Sequence, residues 1–407
     1  MLVKFLEQVQ IKILMSYFYF FDIFTVLLFF GVTGKSAQIF LESWLASAME
    51  GPTPVSSLLH ASTMIVSGVF LLQRFQSYIF CSLDGMLLIT FIGSITSFFA
   101  GTVGLVVMDL KRIIAYSTCS QMGYLVFCVG IGNSNISFFH LFNHAFFKCL
   151  LFVAAGTVIH ALLNEQDIRR MGGLFKLLPF SFVLISFASL ALMGIPFLSG
   201  YFSKEKILEN AFYIYNYSSL FSFWLGSFSA LLTALYSIRL ISYSFFFTPK
   251  NFKNYYQNIH VDLKFYLNIV LFTLGLGTIF SGYFFEDLII GSGTDWLLFT
   301  SVKINMYIPN IHLGNIYINF LTFIYTVFGF FSYFFYNFIF RYSYNIIFFQ
   351  FYSNKVLYTL FLFFSRSWYL NLFYNRYIAY PILWLGYSET FLLLDKGFFE
   401  GIYLLSI

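Results

Sequence analysis

Apolar stretches of about twenty residues recur along most of the chain and are separated by short segments rich in glycine, proline or charge. A helix of that length is long enough to cross the hydrocarbon core of a bilayer. The pattern therefore predicts an all-α polytopic membrane protein. About ten spans are expected, near residues 14–45, 54–73, 85–107, 112–132, 135–162, 177–214, 218–247, 264–290, 315–341 and 377–394.

Two of these spans are too long for one plain helix, and each is interrupted beside a lysine. Gly34 precedes Lys35 in the first, whereas Pro196 and Gly200 precede Lys204 in the second. Broken helices in corresponding repeats mark the transport sites of several transporter folds. A tilted helix with a glycine kink would give the same pattern, but the adjacent lysines favour a functional interpretation.

Composition agrees with a membrane protein. Residues are 59% hydrophobic and 10% charged, whereas soluble domains average about 25% charged residues, so too few polar side chains remain for a water-facing surface. The net charge of +5 includes no basic run suited to nucleic acid. The 60 Phe and 30 Tyr residues suggest an AT-rich organelle gene, because the codons of Phe and Tyr are AT-rich.

Motifs for cofactors are not found in the sequence. Phosphate-loop, dinucleotide and nucleophile-elbow patterns do not occur, and six scattered histidines do not suit haem. We therefore expect no cofactor, no metal and no redox chemistry in this chain. No cleavable signal is expected at residues 1–10, which lead directly into a span. The cysteines match no zinc or iron–sulfur spacing and are expected to be packing residues: Cys81, Cys119, Cys128 and Cys149.

Ionisable residues inside the apolar spans are the candidates for chemistry, because a charge at the bilayer centre costs at least about 2.5–3.5 kcal/mol. Lys35 lies between two apolar stretches and could exchange a proton near neutral pH, or it could extend to the interface. His60 lies about two turns into the second span, beside Ser57 and Thr63. It could relay protons or be a hydrogen-bonded core histidine.

A further candidate set has helical spacing. His140, His144 and Lys148 are placed at i, i+4 and i+8, which puts them on one helix face over about 12 Å of its axis. The row predicts a proton wire. A zinc site is the competing interpretation, but the sequence lacks the glutamate of a zinc protease helix and an evident third ligand. Structural hydrogen bonding is the other alternative.

Charged residues also follow the second interruption and lie between two central spans. Lys204 and Glu205 could form a buried pair in which the proton affinity of each depends on the other, or they could mark the end of the span. Asp109, Lys111 and Arg112 lie between two spans and are expected to be interfacial charges that fix topology.

Several long motifs, in order between residues 31 and 210, resemble a known family. They are GKSAQ from Gly34, MEGPTPVS from Met49, DLKRIIAYST from Asp109, HLFNHAFFK from His140 and GYFSKE from Gly200. Together they resemble the chain 5 family of antiporter-like subunits of respiratory complex I, the proton-translocating NADH–ubiquinone oxidoreductase. The tail from Trp368 resembles the family more loosely, in the region that enters its lateral helix.

The resemblance implies a role for each matching position. Lys35 and Lys204 correspond to the lysines of the family's two broken helices, and His60 to a connecting histidine. His140, His144 and Lys148 fall on the helix between them. In the family these residues form a hydrated polar axis that relays protons, and Glu205 adjoins it. NADH, FMN, iron–sulfur clusters and quinone would be bound by other subunits.

The resemblance also implies an organisation and a location. Residues 14–73 would be the last helices of a first antiporter repeat, 85–247 a second repeat, 264–341 additional transmembrane helices, and 353–407 an interfacial segment that starts the lateral-helix region. Few helices precede Lys35. A separate chain is therefore expected to supply the front helices and the glutamate partner of Lys35, beside other membrane-arm subunits and the lipid bilayer.

The implied location is the mitochondrial inner membrane, as a multi-pass and organelle-encoded chain. Two alternatives are retained. The chain could be a subunit of a multi-chain cation/proton antiporter, whose large subunit shares these motifs. It could also be a structural subunit of the membrane arm that does not pump protons.

Overall fold

A computed structural model describes residues 20–214, 216–248, 265–290, 320–342, 355–400 and 402. These residues form helices and connecting turns, with one antiparallel backbone bridge between Asp109 and Asp167. The chain divides into two compact units, Met1–Tyr344 and Asn345–Ile407. The predicted start of the first span, residues 14–19, lies outside the described residues.

Thirteen helices of the first unit are numbered here in chain order within the described residues. They are α1 (20–35), α2 (Ser43–Ser47), α3 (Thr53–Ala61), α4 (Met64–Arg74), α5 (Gln76–Phe80), α6 (Leu83–Val106), α7 (Leu110–Ile131), α8 (Ser134–Ala161), α9 (Pro179–Met193), α10 (Ser199–Tyr213), α11 (Tyr217–Ile241), α12 (Phe265–Ile289) and α13 (Leu321–Tyr342).

Six helical segments within the described part of the chain are long and apolar enough to cross a membrane. They are Thr53–Arg74, Leu83–Val106, Leu110–Ile131, Ser134–Ala161, Tyr217–Phe246 and Tyr266–Ile289. Two shorter apolar segments are Pro179–Met193 and Leu321–Phe335. The predicted all-α membrane fold is confirmed. The segment predicted to span at 377–394 is helical but is not among the six.

Helix α7 forms the centre of the first unit. All its residues except Arg112 are buried, and it packs against α4, α6, α8 and α11. A helix that is enclosed on all sides need not be amphipathic, which explains why polar residues and glycines are spread around α7. Its hydroxyl and amide side chains are therefore available to neighbouring helices on several faces.

Both interruptions predicted from sequence are breaks in helical structure. The first separates α1 from α2 at residues 36–42. The second separates α9 from α10, where Gly194 caps α9 in the left-handed region at a φ of 91°, a conformation that glycine adopts without steric cost. Each break also holds a phenylalanine at positive φ, 77° at Phe40 and 72° at Phe197. Such backbone is costly for a bulky residue, so the surrounding contacts must hold both breaks in place.

The second unit has its own helical structure. Helix Lys355–Ser365 is followed by a kink in which Trp368 and Tyr369 have positive φ values. Residues 370–400 then run as continuous helix with π-helical turns at Asn375–Ala379 and Gly386–Phe399. Most side chains of this run are exposed within the unit, including many aromatic residues.

Candidate functional site

Lys148 is fully buried on α8 and is held by α7. Its ammonium donates to the Ser117 hydroxyl at 2.5 Å and lies 3.4 Å from the carbonyl of Ile114. Ser117 gives its own proton to the Ile114 carbonyl at 2.8 Å, so its oxygen is free to accept from Lys148. The lysine therefore sits among neutral acceptors. No described carboxylate forms an ion pair with it.

His140 lies two turns before Lys148 and bridges α7 to α10. Its Nε2 lies 3.0 Å from Oε1 of Gln121, and its Nδ1 lies 2.9 Å from the hydroxyl of Ser203. An amide oxygen can only accept, so with the Gln121 amide in this orientation Nε2 carries the proton. Nδ1 then accepts from Ser203 in the neutral imidazole. His140 thus joins the helix of Lys148 to the residue that precedes Lys204.

His144 and His60 are also buried, but their ring nitrogens bond no described protein group. The His60 ring stacks between Trp44, with centroids 6.4 Å apart, and Phe152, at 5.5 Å. The His144 ring packs edge-on against Phe147. Buried polar nitrogens normally bond either protein or water, so these two imidazoles differ from His140, whose ring nitrogens both bond protein groups.

Lys204 is buried on α10 and reaches back to the second break. Its ammonium donates to the hydroxyl of Thr233 on α11 at 2.9 Å and lies 3.4 Å from the carbonyls of Leu192 and Met193. These carbonyls end α9, where the helix leaves acceptors without intrahelical donors and carries partial negative charge. The lysine also lies over the Tyr124 ring, 5.5 Å from its centroid.

Five of the predicted residues form one electrostatically linked series. Lys148 lies close enough to Lys204, His60 and His144 to interact with each, and His140 likewise interacts with Lys204 and His144. The helical row predicted on α8 is therefore continuous with the lysine of the second break. A small cavity adjoins groups that bond the two lysines. Its mainly apolar lining includes Ser117, which accepts from Lys148, and Leu192, whose carbonyl accepts from Lys204, together with Ser189, Tyr236 and Ser237.

Glu205 is buried but belongs to a separate group, on the side of α10 near α12. It shares a side-chain hydrogen bond with Tyr201, and it interacts with Glu209 and Lys206. Lys206 forms an ion pair with Glu286 of α12. Glu205 and Lys204 are thus adjacent in sequence but have different neighbours, and the pair predicted from sequence does not form a salt bridge.

Lys35 differs from the other predicted residues because it is exposed. It is the last residue of α1, and no described carboxylate forms an ion pair with it. The buried acid near this break is instead Glu42, which is 2% exposed. One oxygen of this carboxyl group bonds no described group.

The three charged residues expected to fix topology are Asp109, Lys111 and Arg112. Two of them form an exposed ion pair, and the third anchors a loop. Arg112 pairs with Asp109 at 3.2 Å, and both side chains are exposed. Lys111 donates to the carbonyl of Gly51 at 3.1 Å, which ties the start of α7 to the loop before α3. The residues of the described chain contain no group of three or more His, Cys, Asp or Glu side chains that could hold a metal.

Sequence reasoning missed most of the neutral partners of the site. Ser117 and Gln121 have i, i+4 spacing on α7 and face the row on α8, so helical spacing could have grouped them. Thr233 and Tyr236 lie on α11, far from the lysines in sequence. Their role depends on helix packing, and no local motif marks it. Glu42 could have been noticed as a carboxyl in a broken apolar segment.

Comparison with known proteins supports the family suggested by the motifs. Residues 2–239 match the family described as NADH:quinone oxidoreductase/Mrp antiporter, TM. NADH-ubiquinone oxidoreductase chain 5 of Acanthamoeba castellanii is 43% identical over 382 residues, 93% of this chain and 56% of the relative. The Chondrus crispus protein of the same name is 44% identical over 391 residues, 92% of this chain and 57% of the relative. This chain therefore spans little more than half the length of these relatives.

Solved structures agree on the fold. The Mrp complex from Dietzia sp. DQ12-45-1b contains a chain that matches 77% of this chain, with 34% of that chain covered, at a TM-score of 0.63 and 24% identity. A chain of the membrane-bound sulfane sulfur reductase, an archaeal respiratory membrane complex, matches 66% of this chain, with 54% of that chain covered, at a TM-score of 0.57 and 23% identity. The buried lysine series, the broken helices and the matched residues lead to one conclusion: this chain belongs to the NADH:quinone oxidoreductase/Mrp antiporter transmembrane family.

Proposed function

We propose that this chain relays protons across the membrane as part of a complex I membrane arm. The observation that carries the proposal is the pair Lys148 and Lys204. Both lysines are buried, both are hydrogen-bonded only to hydroxyl and carbonyl oxygens among the described residues, and they lie close enough to interact. Curated relatives 41–44% identical carry the name NADH-ubiquinone oxidoreductase chain 5.

The arrangement suits proton transfer between the two lysines. Two ammonium groups this close in apolar surroundings repel each other, so a proton on Lys148 disfavours a proton on Lys204, and the reverse. A proton that enters near His60 or His144 and reaches Lys148 would therefore promote release from Lys204. His140 bonds Gln121 of α7 and Ser203, the residue before Lys204. Water at the free nitrogens of His60 and His144 would complete the path.

The remaining parts of the assignment are also proposals. The other membrane-arm subunits of such a complex are the proposed partners, and the mitochondrial inner membrane is the proposed location. NADH, FMN, iron–sulfur clusters and quinone would be bound elsewhere in the complex. The separate chain expected to provide a carboxylate for Lys35 stays a prediction, which mass spectrometry of the purified complex can test.

The alternative is a proton path within a multi-subunit cation/proton antiporter. The structural similarity to a chain of the Mrp complex suits this alternative. Both kinds of complex share the fold, however, so the similarity does not distinguish them. The relatives named as chain 5 match 92–94% of this chain at 41–44% identity. They favour the respiratory complex.

The test is Lys204→Ala in the assembled complex, with the rate of proton transport measured in proteoliposomes. We expect transport to fall by about tenfold or more, since a positioned acid–base group contributes about 10²–10⁴-fold, while assembly persists. Lys176→Ala is the matched control, because Lys176 is an exposed lysine before α9. Undiminished transport in Lys204→Ala would support the structural, non-pumping alternative.

A further inference from the structure

Tyr236 of α11 places a buried hydroxyl at the junction of the proposed path. The side chain is 2% exposed, and its hydroxyl oxygen lies 3.4 Å from the hydroxyl of Ser120. The side chains of Ser117 and Gln121 also lie close enough to interact with it electrostatically. These three partners all belong to α7, so one phenol of α11 reaches the polar face of the central helix.

The partners of Tyr236 are themselves the partners of the titratable row. Ser117 accepts from Lys148 and Gln121 accepts from His140. Thr233, which accepts from Lys204, lies one helical turn before Tyr236 and therefore on the same side of α11. The Tyr236 side chain thus lies between α7, which supplies the hydroxyl that accepts from Lys148, and the turn of α11 whose Thr233 accepts from Lys204.

The cavity that adjoins hydrogen-bond partners of the two lysines has this tyrosine in its wall. Its lining combines Tyr236 with Ser117 of the Lys148 side and Leu192 of the Lys204 side, whose carbonyl accepts from that lysine. Ser189 and Ser237 add two further hydroxyls. The lining is mainly apolar, but four of its residues carry hydroxyls, and a buried water needs two to four polar partners.

We propose that the Tyr236 hydroxyl is the group that passes protons between Lys148 and Lys204, together with water in the cavity. This inference rests on the proposed function and assigns a relay residue to it. A phenol can serve because its oxygen accepts a proton while its O–H donates one. Its ring is fixed by the packing of α6 against α11 near Gly104.

The proton moves from Lys148 to Lys204 in a series of single proton transfers. The ammonium of Lys148 gives one proton to the hydrogen-bonded hydroxyls or water beside it and becomes an amine. The Tyr236 oxygen takes up a proton on the Lys148 side and releases its own hydroxyl proton on the Lys204 side. The amine of Lys204 takes up one proton and becomes an ammonium. One proton has moved, Tyr236 is neutral again, and rotation of its O–H restores the starting orientation.

Tyr236→Phe in the assembled complex tests the assignment, because it removes the hydroxyl and retains the ring. We expect the rate of proton transport to fall by about tenfold or more. We also expect a larger slowing in D2O than in the unmodified complex, since proton transfer then limits the rate. Tyr333→Phe is the matched control: that tyrosine is also buried, and its hydroxyl bonds Ser242 at 2.5 Å, outside the cavity lining.

The outcomes separate this inference from the proposed function. Normal transport in Tyr236→Phe with lost transport in Lys204→Ala overturns the relay role alone. Reduced transport with an unchanged D2O effect also overturns it, because a structural defect would explain the loss. Normal transport in Lys204→Ala overturns the proposed function itself. If Tyr236→Phe does not assemble, Ser117→Ala breaks the same route from Lys148 and must reduce transport for the role to stand.

Discussion

The two helix breaks have similar sequences, each with a glycine and a lysine, but they place their lysines in opposite settings. In the second break, Lys204 is buried and its ammonium lies against the terminal carbonyls of α9. In the first, Lys35 is exposed. The terminal carbonyls there accept from neutral donors instead: Gly34 from the Trp44 indole at 3.0 Å, and Val32 from the Ser36 hydroxyl at 2.8 Å.

The direction of helical side chains explains this difference. A Cα–Cβ bond in a helix tilts toward the helix N-terminus. Lys204 comes after its break, on α10, so its side chain leans back into the break. Lys35 is the last residue before its break, so its side chain leans away from it. The first break buries the carboxyl group of Glu42 instead, so one break encloses an acid and the other a base.

Gly200→Ala is expected to have the largest effect of the variants that test this difference between the two breaks. A Cβ at Gly200 would lie 1.8 Å from the backbone oxygen of Ala191, so α9 and α10 would have to separate and Lys204 would lose its carbonyls. We expect loss of assembled subunit, measured by native gel electrophoresis. In Gly34→Ala of the first break, the new Cβ has no described atom within 4 Å. Equal loss in both variants would contradict the view that only the second break depends on close backbone contact.

Thr233→Val should have an intermediate effect that concerns transport more than folding. Valine keeps the shape of threonine but removes the hydroxyl that accepts from Lys204. Loss of a hydrogen bond to a charged group costs about 1.5–3 kcal/mol, so proton transport should change by about tenfold or more while assembly is kept. Transport is measured in proteoliposomes. Thr157→Val is the control, because the Thr157 hydroxyl bonds only the carbonyl of Ala154 within its own helix among the described residues.

Trp44→Phe should have the smallest effect and should act on stability alone. It removes the indole N–H that satisfies the carbonyl of Gly34, a hydrogen bond worth about 1 kcal/mol, while an aromatic ring remains for stacking on His60. We expect a slightly lower thermal midpoint of the assembled complex and unchanged proton transport. Lost transport would show that the group that bonds the terminal helix carbonyls takes part in the proton path at the first break, as it does at the second.

Residues on one helix were the most predictable part of the site. The spacing of His140, His144 and Lys148 was enough to place them on one face, since a single helix geometry relates them. The glycines and Pro196 likewise predicted both breaks, because they mark positions where regular helix is costly. The contacts between helices were not predictable in this way: no local pattern joins Lys148 to Ser117 or Lys204 to Thr233.

The sequence by itself determined most of the helices, both breaks and the row of His140, His144 and Lys148 on one helix face. These follow from local properties: apolar length, backbone preference and helical period. Only the tertiary structure decided that Lys204 is enclosed and Lys35 is exposed, that Glu205 belongs to a different group from Lys204, and that Tyr236 borders a cavity beside residues that bond the two lysines. Those outcomes depend on which helices pack together, and packing joins side chains that are more than a hundred residues apart in the chain, such as Ser120 and Tyr236.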